Sequence, residues 1–293
     1  MCENINIGVI ACDMRQVYMA KMLVENGYNV RLAYAEGLDK EKLGYIIGDQ
    51  ILVTKDAIDL ISTSDVIAGP VPFDKMGDFI TLSRFEKALC ERTFNGSKLI
   101  YGGVIGKEYC DMFDSIGIKY IDFMKIDEIA VYNTIATAEG IIAEAIVHKD
   151  TNLHGSECLV LGYGKCAKTL ANKLKGIGAN VTVAARNTMD LTTASSLGNS
   201  TLNLSSLSKH IYGFEYIFNS IPALILDGEV LSHVSKDALV LDIASAPGGV
   251  DKYAAASLGI KVIHSLGIPG RYAPKSSGDT LGQYLIDSIK TTK

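Results

Sequence analysis

The chain has 293 residues, of which 48% are hydrophobic and 21% charged, with a formal net charge of −5. This is the composition of a soluble globular protein of one large domain or, as expected here, two medium ones. The acidic balance offers no basic face to a phosphate backbone, so nucleic acid is excluded as an expected partner and a small anionic ligand must find local cations.

The opening segment MCENINIGVIACD starts acidic and runs straight into an apolar run, without the cationic start of a secretory signal. The expectation is a protein that stays in the cytoplasm. Cysteines at 2, 12, 90, 110, 158 and 166 form no CxxC pair and no cluster with histidine, so free thiols are expected and no metal site.

Along the chain, Val- and Ile-rich runs alternate with helical patterns: INIGVIA, YNVRLAY, DVIAGPV, KLIYGGV and KYIDF, then ECLVLGYG, NVTVAAR, STLNL, YIFNSIP, ALVLDIAS and KVIHSLG. Such alternation predicts parallel sheets covered by helices on both faces, arranged as two doubly wound α/β domains. The stretch Glu128 to Val147 approaches the length of a bilayer span, but Asn133, Glu139 and Glu144 point instead to a long, half-buried helix linking the domains, with no membrane involved. The expected division is 1–125 for a first, substrate-binding domain, 126–152 for the linking helix, 153–275 for a nucleotide-binding domain, and 276–293 for a final helix that returns to the first domain.

A shift of 151 positions lays VIACDMRQVYMAKMLVENGYNVRLA over VLGYGKCAKTLANKLKGIGANVTVA without a gap, pairing Gly27 with Gly178 and Val30 with Val181. Both halves read as the same β-α-β device. At the turn, Gly162 and Gly164 of the second copy stand opposite Ala11 and Asp13 of the first, which also carries Arg15 and Gln16 there.

Gly162-Tyr163-Gly164-Lys165-Cys166-Ala167 is a GxGxxA turn between a strand and a helix, the context in which this weak motif predicts dinucleotide binding. One glycine makes the turn, the next admits the pyrophosphate, and the helix N-terminus receives its charge. The second strand then ends on Arg186-Asn187-Thr188, where an NAD site usually carries an acid. A guanidinium with nearby donors suits a 2′-phosphate, so NADP is expected rather than NAD, against the plainer reading of a solvated arginine.

Two further strands end on Asn219-Ser220-Ile221-Pro222 and Asp242-Ile243-Ala244-Ser245, at the edge where open α/β sheets bind ligands. Ser220, Ile221, Pro222, Asp242, Ile243 and Ala244 are therefore candidates for the nicotinamide side, Asp242 serving either to orient a donor or to cap the following turn. Substrate contacts are expected from Asp13, Arg15 and Gln16, from Gly103 beside Gly69-Pro70-Val71-Pro72, and from Arg271 and Lys275 in a Gly/Pro-punctuated loop at 267–278. Cations gathered in an acidic protein suggest an anionic substrate, with surface salt bridges as the alternative for each. A hydroxy-acid dehydrogenase usually needs a histidine beside an acid as proton relay, and His264 is the histidine on a late strand near the 267–278 loop; it reads as lying before its strand end, with core or helix-facing packing the expected role.

Taken together, ACDMRQ, SDVIAGPVP, YNTIATAEGII, LVLGYGKCAKTLANKLKGIGANVTVAAR, IFNSIPALIL, LVLDIASAPGGVD and LGIPGRYAPKSSG resemble the A-subunit family of dipicolinate synthase over nearly the whole chain, with Cys12 where a glycine is expected. The resemblance implies two Rossmann-like domains around a central cleft, a fold shared with alanine dehydrogenase and D-2-hydroxyacid dehydrogenases. It also implies an NADP-linked enzyme of spore-forming bacteria that oxidises dihydrodipicolinate to dipicolinate with a flavoprotein-like B-subunit, and a homo-oligomer. Arg15 with Arg271 or Lys275 would then hold the carboxylates of a flat cyclic dicarboxylate, and Asp13 would accept the proton or orient Arg15. The residues leave open an NADP-dependent hydroxy- or amino-acid dehydrogenase of the same architecture, or a nucleotide-sensing protein without catalysis.

Overall fold

The apolar runs form twelve parallel strands among the described residues: β1 Asn6–Ala11, β2 Asn29–Tyr34, β3 Leu52–Val53, β4 Val66–Ala68, β5 Leu99–Gly102, β6 Lys119–Asp122, β7 Glu157–Leu161, β8 Asn180–Ala185, β9 Ser200–Asn203, β10 Tyr216–Asn219, β11 Leu239–Asp242 and β12 Lys261–His264. They come from a computed structural model that describes residues 5–90 and 98–291. Cys2 and the last two residues of the expected C-terminal helix lie outside the described residues.

The strands make two sheets, ordered β3-β2-β1-β4-β5-β6 and β12-β11-β10-β7-β8-β9. Each is the doubly wound order, in which the chain starts mid-sheet, winds one way and then reverses. Tyr216–Asn219 and Leu239–Asp242 are buried throughout, as strands covered on both faces must be. The repeat is structural as well: helix Met14–Glu25 corresponds to Lys165–Gly176 and β2 to β8, each 151 positions apart. Gly27 and Gly178 hold φ of 84° and 86°, a left-handed turn that favours glycine in both copies. Leu52–Val53 has no counterpart among the expected strands, because two exposed residues carry no alternation to read.

The chain divides into two compact units. One comprises residues up to Tyr132 together with those from Ala273 on, and the other is Asn133–Tyr272. The division falls inside helix Asp127–His148, so this helix contributes residues to both units. By length and composition the helix is apolar enough to cross a bilayer. Its Ala138, Ile141 and Ala145, however, belong to the core of the second unit beside Leu170 and Leu174.

In the first unit one sheet face is covered by helix Met14–Glu25 and by the final helix Pro274–Thr291, which adds Leu281, Leu285, Ile286 and Ile289 to the core. Each such side chain stabilises the unit by about 1.5–3 kcal/mol on burial. The two helices meet at small residues: a Cβ on Gly278 would stand 2.3 Å from the Arg15 carbonyl oxygen. The opposite face is filled by Phe73, Phe85, Tyr109 and Phe113 in edge-on and tilted contacts.

The segment 267–278, expected as a loop, is instead largely helical: Ile268–Tyr272 is one helix and Pro274 starts the next. Pro269 and Pro274 stand in first turns, where a missing N–H costs nothing. The short helix is pinned within the second unit by buried Glu144. Arg271 Nη1 donates to Glu144 Oε1 at 3.0 Å, Ser265 Oγ donates to the same oxygen at 3.2 Å, and Arg271 Nη2 donates to Ser265 Oγ at 2.7 Å. A Cβ on Gly140, one turn earlier in the long helix, would stand 2.2 Å from Ile268 Cγ2.

Burial raises the pKa of Glu144, but hydrogen bonds from Tyr272 and Ser265 and the charge and hydrogen bond of Arg271 outweigh it and hold the carboxyl below the usual carboxylate range. A carboxyl lowered on folding contributes stability that is fully present above its unfolded value, about 4.3, and lost as pH falls through the lower folded value. Glu144→Gln should therefore lower the denaturation midpoint of the second unit at pH 7, and the gap from the parent protein should narrow below about pH 4. Equal midpoints at neutral pH would show that the cluster does not stabilise the unit.

Candidate functional site

In a parallel sheet all carboxyl ends face one edge, and the point where strand order reverses leaves a crevice there. In the second unit this is the edge between β7 and β10. Gly162, directly after β7, holds φ of 94°, and a Cβ on it would stand 2.7 Å from Ser220 Oγ, directly after β10. Ser220 is fixed in turn by donating to the Leu161 carbonyl at 2.8 Å.

Gly164 then caps helix Lys165–Gly176 with no side-chain hydrogen bond and no acidic residue in the first turn, and a Cβ there would meet nothing within 4 Å. Ala167 is fully buried against the sheet. A helix start with open space over its cap and no side-chain acceptor suits a pyrophosphate. The neighbours divide their roles: the Tyr163 ring is buried in the core with Lys168 Nζ 5.1 Å from its centroid, so only its backbone faces the turn, and burial pushes the Cys166 thiol pKa up.

Arg186, Asn187 and Thr188 are exposed just past β8. Asn187 caps the next helix by accepting from Met189 N at 2.8 Å. Arg186 has no hydrogen-bond or ion-pair partner among the described residues, which leaves its guanidinium available to a ligand.

Beyond β10 the strand ends are tied together. Asn219, Asp242 and His264 are the last residues of β10, β11 and β12 and stand opposite one another in register. Asp242 Oδ1 accepts from Asn219 Nδ2 at 2.8 Å and from Ala244 N at 3.1 Å; Oδ2 accepts from Gly249 N at 3.2 Å and from His264 Nδ1 at 3.2 Å. Asp242 thus bonds both the backbone of the Pro-Gly-Gly turn and the His264 ring. Ile221 N is held by Asn219 Oδ1 at 3.1 Å, while Pro222 is exposed. His264 corrects the sequence expectation: it ends its strand, and 26% of its side-chain surface is open, instead of packing inward.

The first unit fills the equivalent place differently. Asp13 and Gln16 form a capping box: Asp13 Oδ1 accepts from Arg15 N at 2.9 Å, and Gln16 Oε1 accepts from Asp13 N at 3.0 Å and Cys12 N at 3.2 Å. Arg15, 4% exposed, folds back on Asp13 through Nε at 3.0 and 3.1 Å and Nη2 at 2.7 Å, and Nη2 also donates to the Val71 carbonyl at 2.5 Å. It therefore joins the end of β1 to the segment after β4, across this unit's own reversal point. Both oxygens of Asp13 bond Arg15, so the carboxylate holds the guanidinium in place. Two donors remain: Arg15 Nη1 has no partner among the described residues, and Gln16 Nε2 is buried without one.

The other expected substrate contacts are spent internally. Gly103 donates its amide to the Pro70 carbonyl at 3.3 Å and accepts from Phe73 N at 2.7 Å, leaving no backbone donor for a carboxylate. Lys275, in the first unit, donates to Asp279 at 2.6 Å, and Arg271, in the second, is held by Glu144 and Ser265. Among the described residues no group of histidine, cysteine and acidic side chains could hold a metal.

No family model matches the chain. It is 31% identical to the A-subunit of dipicolinate synthase from Bacillus subtilis over 97% of this chain and 96% of that one. The crystal structure of the dipicolinate synthase A-subunit from Bacillus halodurans superposes with a TM-score of 0.82 at 28% identity, covering 97% of each chain. An L-alanine dehydrogenase structure shares the fold alone, with a TM-score of 0.63 at 13% identity over 97% of this chain and 89% of that one. With 31% identity to this relative over nearly the whole of both chains, two doubly wound sheets and an open glycine turn in the second of them, the chain belongs to the A-subunit family of dipicolinate synthase.

Proposed function

We propose that this protein is an NADP-dependent oxidoreductase that converts dihydrodipicolinate to dipicolinate, working with a separate B-subunit in the cytoplasm of a sporulating bacterium. The observation that carries the reading is the contrast between the two copies of one turn. In the second unit the helix start is free of side-chain caps and lies beside an unpaired Arg186; in the first it is closed by Asp13 and Gln16 and holds a buried arginine.

The nucleotide's pyrophosphate is received by the backbone of Gly162, Tyr163, Gly164, Lys165 and Cys166. Its 2′-phosphate is taken by Arg186 with Asn187 Nδ2 and the Thr188 hydroxyl, because a planar guanidinium matches phosphate oxygens. Ser220, Ile221, Pro222, Asp242, Ile243 and Ala244 lie beyond the pyrophosphate, towards the half that would carry the nicotinamide. When bound, that ring accepts a hydride.

Arg15 is the residue that binds a substrate carboxylate. Its guanidinium is aimed by Asp13 and Val71 before any ligand arrives, and Nη1, with the adjacent Gln16 Nε2, supplies donors still unused. Arg271 and Lys275 are secondary candidates, since a carboxylate has to compete with Glu144 or Asp279 for them. Gain of aromaticity drives the oxidation, so most of what the protein supplies is position. The B-subunit and self-association belong to the same reading, supported by the relative's name as one part of a synthase.

Protein, NADP⁺ and freshly generated dihydrodipicolinate should yield NADPH absorbance above the protein-free rate, with the B-subunit added in a parallel series. Binding of NADP⁺ without hydride transfer in either series would favour a nucleotide-sensing role, and activity confined to simple keto acids would favour a hydroxy- or amino-acid dehydrogenase. Arg186→Ala should weaken NADP⁺ binding about tenfold, or about 1.4 kcal/mol, while leaving NAD⁺ unchanged; equal effects on both would remove the 2′-phosphate assignment. Arg15→Lys keeps the charge but loses the fork, and should raise the KM for the dicarboxylate about tenfold or more without changing nucleotide affinity.

A further inference from the structure

The proposed oxidation releases a proton as well as a hydride, and both oxygens of Asp13 are bonded to Arg15. We propose that His264, oriented by Asp242, is the proton acceptor of the reaction, an inference that rests on the function proposed above.

Strand register brings the groups together. The last residues of β10, β11 and β12 lie side by side, so Asn219, Asp242 and His264 form a row along the carboxyl edge of the second sheet. Asp242 is fully buried, and a carboxylate in such a place has to be saturated with donors. Three donors are an amide side chain and two backbone N–H groups, and the fourth is His264 Nδ1 at 3.2 Å. The carboxylate therefore fixes the tautomer: Nδ1 carries the hydrogen, and Nε2 presents a lone pair. Nε2 has no protein partner among the described residues, and the ring keeps a quarter of its surface open.

A buried carboxylate that sets the tautomer and orientation of a partly open imidazole is the arrangement of a general base. The backbone is built to keep it. A Cβ on Gly248 would stand 3.3 Å from Asp242 Oδ2 and 3.6 Å from His264 Cε1, and a Cβ on Gly249 would stand 2.1 Å from Asn219 Nδ2. Asp242 is the charged group in contact with His264 among the described residues.

Position favours the role. The residues proposed for the pyrophosphate follow β7 and those proposed for the 2′-phosphate follow β8, so the other half of a bound nucleotide would lie on the side of β10, β11 and β12. With the nucleotide bound, one ring C–H bond of the dihydropyridine would break, its electron pair leaving with the hydrogen as the hydride that the nicotinamide supplies an acceptor for. A proton on a second ring atom passes to Nε2, and the electron pair of that bond closes the aromatic ring. The substrate is oxidised by two electrons, the nucleotide is reduced, and the proton leaves to solvent from the open imidazole.

The test compares the full chain with His264→Gln, with the B-subunit present. The expected result is a fall in turnover of about a hundredfold or more, with NADP⁺ affinity within about twofold of the parent. The acidic limb of the rate profile should vanish in the variant, and added imidazole should restore part of the rate. As a readout independent of turnover, ring-labelled histidine spectra of the parent protein should show the His264 signal moving when NADP⁺ and pyridine-2,6-dicarboxylate are both present. Unchanged turnover and pH profile in the variant, lost nucleotide binding, or a His264 signal indifferent to the dicarboxylate would each overturn the assignment. A parent protein that reduces no nucleotide would remove the proposed function instead, and the dicarboxylate-induced shift would then decide separately whether the ligand reaches the histidine.

Discussion

Everything in this molecule follows from strands that run parallel. A parallel pair cannot be closed by a hairpin, so each strand is followed by a crossover, and all strand ends meet one edge of the sheet. In both sheets the chain starts in the middle and reverses direction once, so β1 and β4, and β7 and β10, have their following segments diverge from neighbouring positions. That divergence is where backbone on an otherwise close-packed edge can be reached from outside. The residues that matter, Gly162 and Ser220 in one unit and Arg15 and Val71 in the other, all stand at it.

The same scaffold has been put to opposite uses by a few side chains. A helix start has backbone donors that something must satisfy. In the first unit the protein satisfies them from within, and the capping box leaves a guanidinium held rigidly from two sides. In the second unit glycine leaves the cap bare and a ligand can complete it. One copy is thereby suited to present a cation and the other to receive a phosphate, without any change in strand order.

Much of this was legible in the residues. Continuous apolar runs marked eleven of the twelve strands, and the gapless shift of 151 positions anticipated helix Lys165–Gly176 and β8 as copies of helix Met14–Glu25 and β2. The glycine turn and Arg186 could be placed because local sequence dictates both. What stayed hidden depended on tertiary contacts. Leu52–Val53 pairs only because β2 lies beside it, and 267–278 becomes helical because buried Glu144 and Gly140 dock it. Gly103 looked like an open backbone site, yet its groups are consumed by Pro70 and Phe73, which are distant in sequence. The row Asn219, Asp242, His264 needed strand register, and no spacing along one chain encodes that; the signal available was that each residue is polar at the end of an apolar run.

The final helix carries a consequence for how the protein is made. Leu281, Leu285, Ile286 and Ile289 belong to the core of the first unit, yet they are separated from the rest of it by the whole of Asn133–Tyr272. The second unit is thus an insertion within the first. A chain emerging from the ribosome presents its N-terminal sheet long before the helix that covers it, while all of the inserted unit is already available to fold. The order of completion is therefore the reverse of the order of synthesis: the inserted unit can close first, and the outer one waits, with one face of its sheet covered only by helix Met14–Glu25, until the last helix arrives.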